Sequence, residues 1–155
     1  FNYVLKVGVT APYMLSKLFL DYFSQDAAIV NIASTRAKMS QADTESYTAA
    51  KGGISSLTHA LAVSLAGRVR VNSISPGWID VSANFDENYD KNHSPEDKSQ
   101  HLVKRVGKPQ DIVRTVLFLC DSENGFITGE NITVDGGMTK LMVYTGEGGW
   151  EYRED

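Results

Sequence analysis

The sequence predicts an α/β fold in which a doubly wound parallel sheet is covered by helices on both faces. Three observations predict it: short apolar runs typical of buried strands, longer segments with helical periodicity, and a strict alternation of the two along the chain. Alternation favours parallel pairing, because a parallel strand can rejoin its neighbour only after a crossover helix. Such sheets bind ligands beyond the carboxyl ends of their strands.

The individual elements follow from the same patterns. We expect helices over 2–23, 46–66 and 109–120, and strands over 27–33, 69–75 and 130–134. Pro12 should kink the first helix or remove one of its hydrogen bonds. Gly67 is a typical residue to end the second helix, and Pro109 suits the first turn of the third.

Length and charge limit the kind of protein. The 155 residues allow one domain with a hydrophobic core, and 42% of them are apolar. The formal net charge of −4 does not favour nucleic acid as a partner, because nucleic-acid-binding domains normally carry a basic surface. No stretch approaches the length of a transmembrane helix, so we expect no membrane partner.

The single cysteine bears on cellular location. Cys120 ends the apolar run 116–120, and we expect its thiol to be buried. One cysteine cannot form an internal disulfide, and the first residues do not follow the pattern of a secretory signal peptide. These features predict a cytoplasmic protein.

The segment 78–101 has few large apolar residues and several acids, and it predicts a mobile loop with short helical pieces. Its acids are expected to face solvent rather than substrate. His93 and His101 within it lack the spacing of metal ligands, so no metal is predicted. His59, on the second helix, is expected to be a surface or packing residue.

Tyr47 and Lys51 form the candidate reactive pair. They are four residues apart near the start of the second helix, which places them on one face, one turn apart. A free phenol has a pKa of about 10, and a nearby ammonium favours its ionised form. A tyrosine in this setting can exchange a proton with a substrate alcohol or carbonyl. Ser34, directly after the first strand, could hydrogen-bond the same substrate oxygen.

Five sequence segments extend this evidence over most of the chain. The spacing within the site is also informative: Tyr47 follows Ser34 by thirteen residues. The segments are IVNIAS at 29–34, YTAAKGG at 47–53, RVNSISPGWI at 70–79, KRVGKPQDIVRTVLFLC at 104–120 and ITGENITVDGG at 127–137. Together and in this order they resemble the short-chain dehydrogenase/reductase family. The resemblance implies the C-terminal half of a Rossmann-like domain over residues 1–139, followed by a C-terminal tail over residues 140–155.

The resemblance also implies the activity and its main residues. We expect an NAD- or NADP-dependent oxidoreductase that interconverts an alcohol and a ketone or aldehyde by hydride transfer. Tyr47 would be the acid/base. Lys51 would favour the ionised tyrosine and bind the nicotinamide ribose hydroxyls, and Tyr47 would also belong to the cofactor-binding residues. Ser34 would orient and polarise the substrate carbonyl.

The cofactor side of the site is implied in the same way. Pro76, Gly77 and Ile79 would line the nicotinamide, and the Ile79 backbone would meet its carboxamide. The family's glycine-rich pyrophosphate turn is not in this sequence, nor is the residue that selects NAD or NADP. The resemblance places them upstream of Phe1, in three further strand–helix units of about 30 residues each. The GEGG segment at 146–149 follows no predicted strand and is not expected to bind phosphate.

Two positions depart from the family pattern. Gly8 stands where the family usually has an asparagine that holds a water in the proton relay behind the lysine. Val81 stands where a threonine often contacts the cofactor, with Ser82 beside it as a replacement. Either the relay uses another arrangement of water or activity is reduced.

Alternatives and partners remain open at this point. A sugar-nucleotide epimerase or dehydratase of the extended type also uses Tyr-x-x-x-Lys, but the short Ser-to-Tyr spacing and the DGG ending argue against it. A non-catalytic remnant of the fold that binds or regulates a partner is the other alternative. Small residues on the second helix, at 49–56, allow close helix packing, within the chain or in the homodimer or homotetramer that the family implies.

Overall fold

The computed structural model describes residues 1–142, 144 and 146. The helices are α1 (Asn2–Leu5), α2 (Ala11–Leu18), α3 (Glu45–Ser64), α4 (Pro95–Ser99) and α5 (Pro109–Cys120). The strands are β1 (Ala27–Ile32), β2 (Val69–Pro76) and β3 (Asn131–Val134). The predicted tail lies mostly outside the described residues, as do three of the four residues of the GEGG segment.

The strands form one parallel sheet in the order β1-β2-β3, as predicted. Two neighbouring residues of β2 show that helices cover both of its faces, because successive side chains of a strand point to opposite sides. Val71 packs in a buried cluster with Leu61 and Leu65 from the α3 side. Arg70 donates hydrogen bonds in the other direction, including one of 2.8 Å to the Leu119 carbonyl of α5. The doubly wound arrangement is therefore confirmed.

The first helix runs without a break through residues 2–18 but changes its winding. A π-helical turn, Lys6–Thr10, joins α1 to α2 and ends two residues before Pro12. Proline cannot donate to the carbonyl four residues earlier, and local π-type winding is one known way in which a helix accommodates such a break. The predicted disturbance at Pro12 thus takes the form of a π turn. The α-helix ends at Leu18, earlier than predicted.

The prediction that Cys120 is buried was wrong. Leu119 is fully buried, but Cys120, the next residue, is exposed. Neighbouring residues on a helix are rotated by about 100° from each other, so one can face the sheet while the next faces solvent. An apolar run at a helix end therefore did not indicate burial of its last residue.

The segment between β2 and α5 contains α4 and two short 3₁₀ turns, as predicted, but it also has a small core of its own. Tyr89, His93 and His101 are buried, and the rings of Tyr89 and His93 are 4.8 Å apart. The Tyr89 hydroxyl donates to the Val106 and Gly107 carbonyls, at 2.5 and 3.0 Å. This aromatic and histidine cluster, absent from the sequence-based prediction, ties the loop to the start of α5.

In the part of the chain that the structure describes, no helix is long and apolar enough to cross a membrane.

Candidate functional site

Ser34 and Pro76 lie at the same edge of the sheet. Ile32 of β1 pairs with Ile74 of β2, and each candidate residue follows its strand residue by two positions: Ser34 just beyond β1 and Pro76 at the end of β2. Because the strands are parallel, both residues stand at their carboxyl ends, where a ligand of such a sheet is expected. Ser34 is largely buried and caps a 3₁₀ turn, Thr35–Ala37, by accepting a hydrogen bond from the Arg36 amide at 3.1 Å.

Tyr47 and Lys51 reach this edge from the first turns of α3. Lys51 Nζ donates a 2.9 Å hydrogen bond to the carbonyl of Ile32, the last residue of β1. The same ammonium lies 5.6 Å from the centroid of the Tyr47 ring. Tyr47 is 41% exposed, so solvent or a ligand can reach its ring. The structure thus brings the predicted tyrosine and lysine together beside the strand that leads into Ser34.

Gly77 packs tightly against the last strand. Its amide donates to the Val134 carbonyl at 3.0 Å, and a Cβ at this position would lie 2.7 Å from Asp135 Cβ. Since real side chains do not approach so closely, a larger residue here would push β2 and β3 apart. The glycine therefore has a packing reason that is independent of any ligand.

Ile79 forms an isolated parallel bridge with Gly107. The bridge has two hydrogen bonds: the Gly107 amide donates to the Trp78 carbonyl, and the Asp80 amide donates to the Gly107 carbonyl. In a parallel bridge of this kind, the amide and carbonyl of the central residue point away from the partner strand. The Ile79 backbone groups are thus left out of the bridge, as a ligand contact at this residue would require.

The turn after β3 is held by an aspartate. Asp135 accepts hydrogen bonds from the Gly137 amide at 2.9 Å and from the Thr139 amide at 2.8 Å. Burial opposes ionisation of Asp135, but the hydrogen bonds from Thr139 and Gly137 outweigh it and keep the pKa of its carboxyl below the usual range. Gly136 and Gly137 both have positive φ angles, of 62° and 85°. The Asp-Gly-Gly sequence therefore forms a hydrogen-bonded turn beside Gly77.

The two departures from the family pattern have different structural settings. A Cβ at Gly8 would lie 2.8 Å from Ala50 Cβ, so the first helix and α3 approach each other too closely for a larger residue. Val81 is 66% exposed, and the Ser82 amide is bound to the Asp80 carboxylate at 2.8 Å. Ala50, one of the small residues of α3, thus packs within the chain. A role for α3 in an oligomer stays a prediction.

Arg36 is a site residue that sequence reasoning missed. Its guanidinium carbon lies 5.7 Å from the centroid of the Tyr47 ring, so two cations approach this ring. The available signal was its position two residues after Ser34, in a segment that the fold places at the carboxyl end of β1. Nothing in the sequence alone shows that its side chain turns towards α3 rather than towards solvent.

A cavity of about 240 Å³ lies at the carboxyl ends of β2 and β3, between the Trp78–Ile79 segment and the turn after β3. Its walls include Ile79, His101 and Arg105, but not Ser34, Tyr47 or Lys51. Among residues 1–142, 144 and 146, no three His, Cys, Asp or Glu side chains are grouped so that they could hold a metal ion.

Comparisons with known proteins agree with this architecture. A family model described as enoyl-(acyl carrier protein) reductase matches residues 1–139. An uncharacterized oxidoreductase of Thermotoga maritima is 48% identical over 147 residues, which cover 91% of this chain and 57% of that protein. The chain thus spans little more than half the length of this relative.

Solved structures give the same result. The apo SCOR enzyme from Clostridium thermocellum is 49% identical and superposes with a TM-score of 0.87, over 99% of this chain and 59% of that one. 4-Hydroxyisoleucine dehydrogenase, solved as a complex with NADH, is 33% identical with a TM-score of 0.72, over 89% of this chain and 59% of that one. With the family model matching nine-tenths of its length, this chain belongs to the short-chain dehydrogenase/reductase family of oxidoreductases.

Proposed function

We propose that this chain carries the proton-transfer side of an oxidoreductase that interconverts an alcohol and a ketone or aldehyde, with NAD or NADP as cofactor. The observation that carries the proposal is the arrangement of Tyr47 and Lys51. Their side chains lie one helical turn apart, with Lys51 Nζ 5.6 Å from the tyrosine ring and hydrogen-bonded to the end of β1. A phenol and an ammonium beside the carboxyl end of a parallel strand support the proposal, because ligands of such sheets bind at that edge.

Each residue has a defined part in the proposed reaction. The Tyr47 hydroxyl gives a proton to the carbonyl oxygen during reduction and takes it back during oxidation. Lys51 places a positive charge beside the ring that loses the proton, and charge of that sign favours the ionised phenol. Ser34 would hydrogen-bond the same substrate oxygen and orient it towards Tyr47. The hydroxyl group of Ser34 already accepts the Arg36 amide proton, so its own proton is available to donate.

The chain's residues fit the nicotinamide end of the cofactor. NAD or NADP, when bound, supplies or accepts the hydride. The Ile79 amide and carbonyl, left out of the bridge to Gly107, suit the donor and acceptor of a carboxamide. Lys51 and the Tyr47 hydroxyl would bind the ribose hydroxyls, while Pro76 and Gly77 would line the ring. The solved relative in complex with NADH supports a nicotinamide cofactor, and the choice between NAD and NADP stays open.

The activity, substrate and partners of the whole protein belong to the same proposal, because the chain spans 57% and 59% of the lengths of the two most similar proteins above. We propose a small alcohol or carbonyl compound as substrate and a homodimer or homotetramer as the assembly. A cytoplasmic location remains the expectation from the sequence.

Replacement of Tyr47 by phenylalanine tests the proposal. We expect the rate of nicotinamide oxidation or reduction, followed by absorbance with a panel of secondary alcohols, ketones and aldoses, to fall by about 100-fold or more, since general acid–base catalysis contributes at least that much. Cofactor binding, measured by fluorescence, should be largely retained. Tyr22→Phe is a matched control, because Tyr22 is 82% exposed and lies before β1.

Full activity of Tyr47→Phe would refute the role of this residue. If the unmodified protein neither binds nor turns over any nicotinamide cofactor, the non-catalytic alternative is favoured. The glycine in place of the family's asparagine at position 8 is the observation that supports that alternative.

A further inference from the structure

Arg36 is a cation beside the proposed catalytic residues that the proposed reaction does not use. It belongs to the 3₁₀ turn that Ser34 caps, and its backbone amide is the donor to Ser34 Oγ. Its guanidinium carbon is 5.7 Å from the Tyr47 ring centroid, and Lys51 Nζ is 5.6 Å from the same point. The ring is thus approached by two positive charges, only one of which the proton transfer requires.

The guanidinium is held in place by neutral acceptors. Nη1 donates to Gln41 Oε1 at 2.9 Å, and Nη2 donates to Thr44 Oγ1. Thr44 is itself fixed by a 2.7 Å hydrogen bond to the Gln41 carbonyl, and it directly precedes α3. The conformation of Arg36 is therefore set before any ligand binds, which lowers the entropy cost of using it for recognition.

The charge of Arg36 is not balanced within the described part of the chain. No Asp or Glu oxygen of residues 1–142, 144 and 146 forms an ion pair with it, whereas Arg105 is paired with Asp111 at 2.7 Å. A guanidinium has five N–H groups, and Gln41 and Thr44 accept one each, which leaves three. One of these, on Nε, is buried without a hydrogen-bond partner among the described residues. A ligand cannot reach this buried Nε–H, so Arg36 offers a ligand its charge and two N–H groups, one on Nη1 and one on Nη2.

The chemistry of such a group is specific. A fixed guanidinium with free donors matches the two oxygens of a carboxylate or phosphate, and charge-assisted hydrogen bonds of this type are stronger than neutral ones. The second cation, Lys51, adds to the positive potential at this point.

We propose that Arg36 selects substrates that carry an anionic oxygen group, a carboxylate or a phosphate, a few bonds from the reacting carbon. This inference rests on the proposed function, because the reacting oxygen must lie at the Tyr47 hydroxyl. The short distance from Arg36 to the Tyr47 ring then places the anionic group close to the reacting centre. Hydroxy acids and phosphorylated alcohols, rather than neutral alcohols, are the substrate class that this arrangement favours.

Kinetics with matched substrate pairs test the proposal. One pair is 3-hydroxybutyrate and its methyl ester, and the other is glycerol 3-phosphate and glycerol, so that the two anion types are distinguished. The measured quantity is the ratio of kcat/KM for the anionic member to that for the neutral member. We expect Arg36→Gln to lower this ratio by about tenfold for the preferred pair, mainly through KM, as the loss of a charge-assisted hydrogen bond implies.

Two further variants separate recognition from a purely structural role. Arg36→Lys keeps the charge but loses the fork, so the ratio should fall by less than in Arg36→Gln. Arg68→Gln removes a charge from the opposite end of the sheet, where Arg68 donates to the Leu20 carbonyl at 3.1 Å, and should leave the ratio unchanged. If Arg36 only ties its turn to α3, both substrates of a pair lose activity equally and the ratio does not move. That result, or no loss at all, overturns the proposal.

A binding measurement distinguishes failure of this proposal from failure of the proposed function. Binding of 3-hydroxybutyrate and glycerol 3-phosphate is followed by ligand-observed NMR in the unmodified protein, Tyr47→Phe and Arg36→Gln, with far-UV circular dichroism as the check of folding. Binding that is retained in Tyr47→Phe and lost in Arg36→Gln supports Arg36 even without turnover. Tyr47-dependent turnover of neutral alcohols, with no binding of either anion, overturns the role of Arg36 and leaves the proposed function standing. If Arg36→Gln does not fold, Arg36→Lys is used for the same comparison.

Discussion

Replacement of Gly8 by asparagine would restore the residue that the family usually has at this position, and the structure predicts that the change destabilises the fold. A Cβ at Gly8 would lie 2.8 Å from the Cβ of Ala50. Carbon atoms in van der Waals contact are normally separated by about 3.5–4.0 Å. Ala50 is only 2% exposed and is the first of the buried residues of α3, so it has no free space into which to move.

The expected size of the effect follows from two terms. Overpacking of a well-packed site typically costs about 1–3 kcal/mol. Asparagine has a better helix propensity than glycine, but the gain is only a few tenths of a kcal/mol. The clash therefore dominates, and Gly8→Asn should lower the free energy of unfolding by about 1–3 kcal/mol.

Urea unfolding followed by far-UV circular dichroism measures this effect through the transition midpoint, at an unchanged slope. Gly52→Asn is the matched control, because a Cβ at Gly52, also in a helix, would meet nothing within 4 Å. This variant should stay within about 0.5 kcal/mol of the parent. The double variant Gly8→Asn/Ala50→Gly should be more stable than the sum of the two single effects predicts, by about 1 kcal/mol, because the contact is removed.

An unchanged midpoint for Gly8→Asn would refute the steric argument, and so would strict additivity in the double variant. Destabilisation in the predicted range would mean that the asparagine of the family cannot return to this chain unless Ala50 also changes. Any proton relay behind Lys51 would then depend on an arrangement adapted to the close approach of the two helices.

Two further predictions concern charge and reactivity away from Tyr47 and Lys51. Hydrogen bonds from both Arg105 Nη atoms, at 2.7 and 2.8 Å, lower the pKa of Asp111 below its ordinary value of 3.8. This carboxylate therefore stabilises the fold above about pH 4, and its contribution is lost as the pH falls through the lowered pKa. Asp111→Asn should therefore make the free energy of unfolding less dependent on pH between about 5 and 2, and an unchanged pH profile from urea titrations would contradict this. Because Cys120 is exposed, the folded protein should react with Ellman's reagent at one thiol per chain without denaturant. A thiol that reacts only after unfolding would show that Cys120 is covered.

The sequence alone was sufficient for the order and type of the main elements. The helix 109–120 was predicted with the bounds that the structure has, because Pro109 favours a first helical turn and the apolar periodicity ends at Cys120. The strands were placed to within one residue at each end, since short β-branched runs between helices indicate a buried parallel strand. The pairing of Tyr47 with Lys51 was also predictable, because residues four apart in a helix are neighbours on its surface.

Other features depend on segments that are far apart in the chain. The first helix was predicted through to residue 23, but the α-helix ends at Leu18, and just beyond it the Leu20 carbonyl accepts a hydrogen bond from the distant Arg68. His93 and His101 are buried because Trp78 and Tyr89 pack around them. No local sequence pattern predicts such a cluster.

The difference between the two kinds of feature is one of range. Periodicity, capping and i,i+4 pairs are properties of a few consecutive residues. The sequence therefore determined the features that follow from them: the alternating fold, the edge at which Ser34 and Pro76 lie, and the tyrosine–lysine pair. Only the tertiary structure decided which side chains meet from distant segments: the contact of Gly8 with Ala50, the exposure of Cys120, and the placement of the Arg36 charge over Tyr47. Burial and charge balance are sums over all neighbours in space, and those neighbours are known only once the chain has folded.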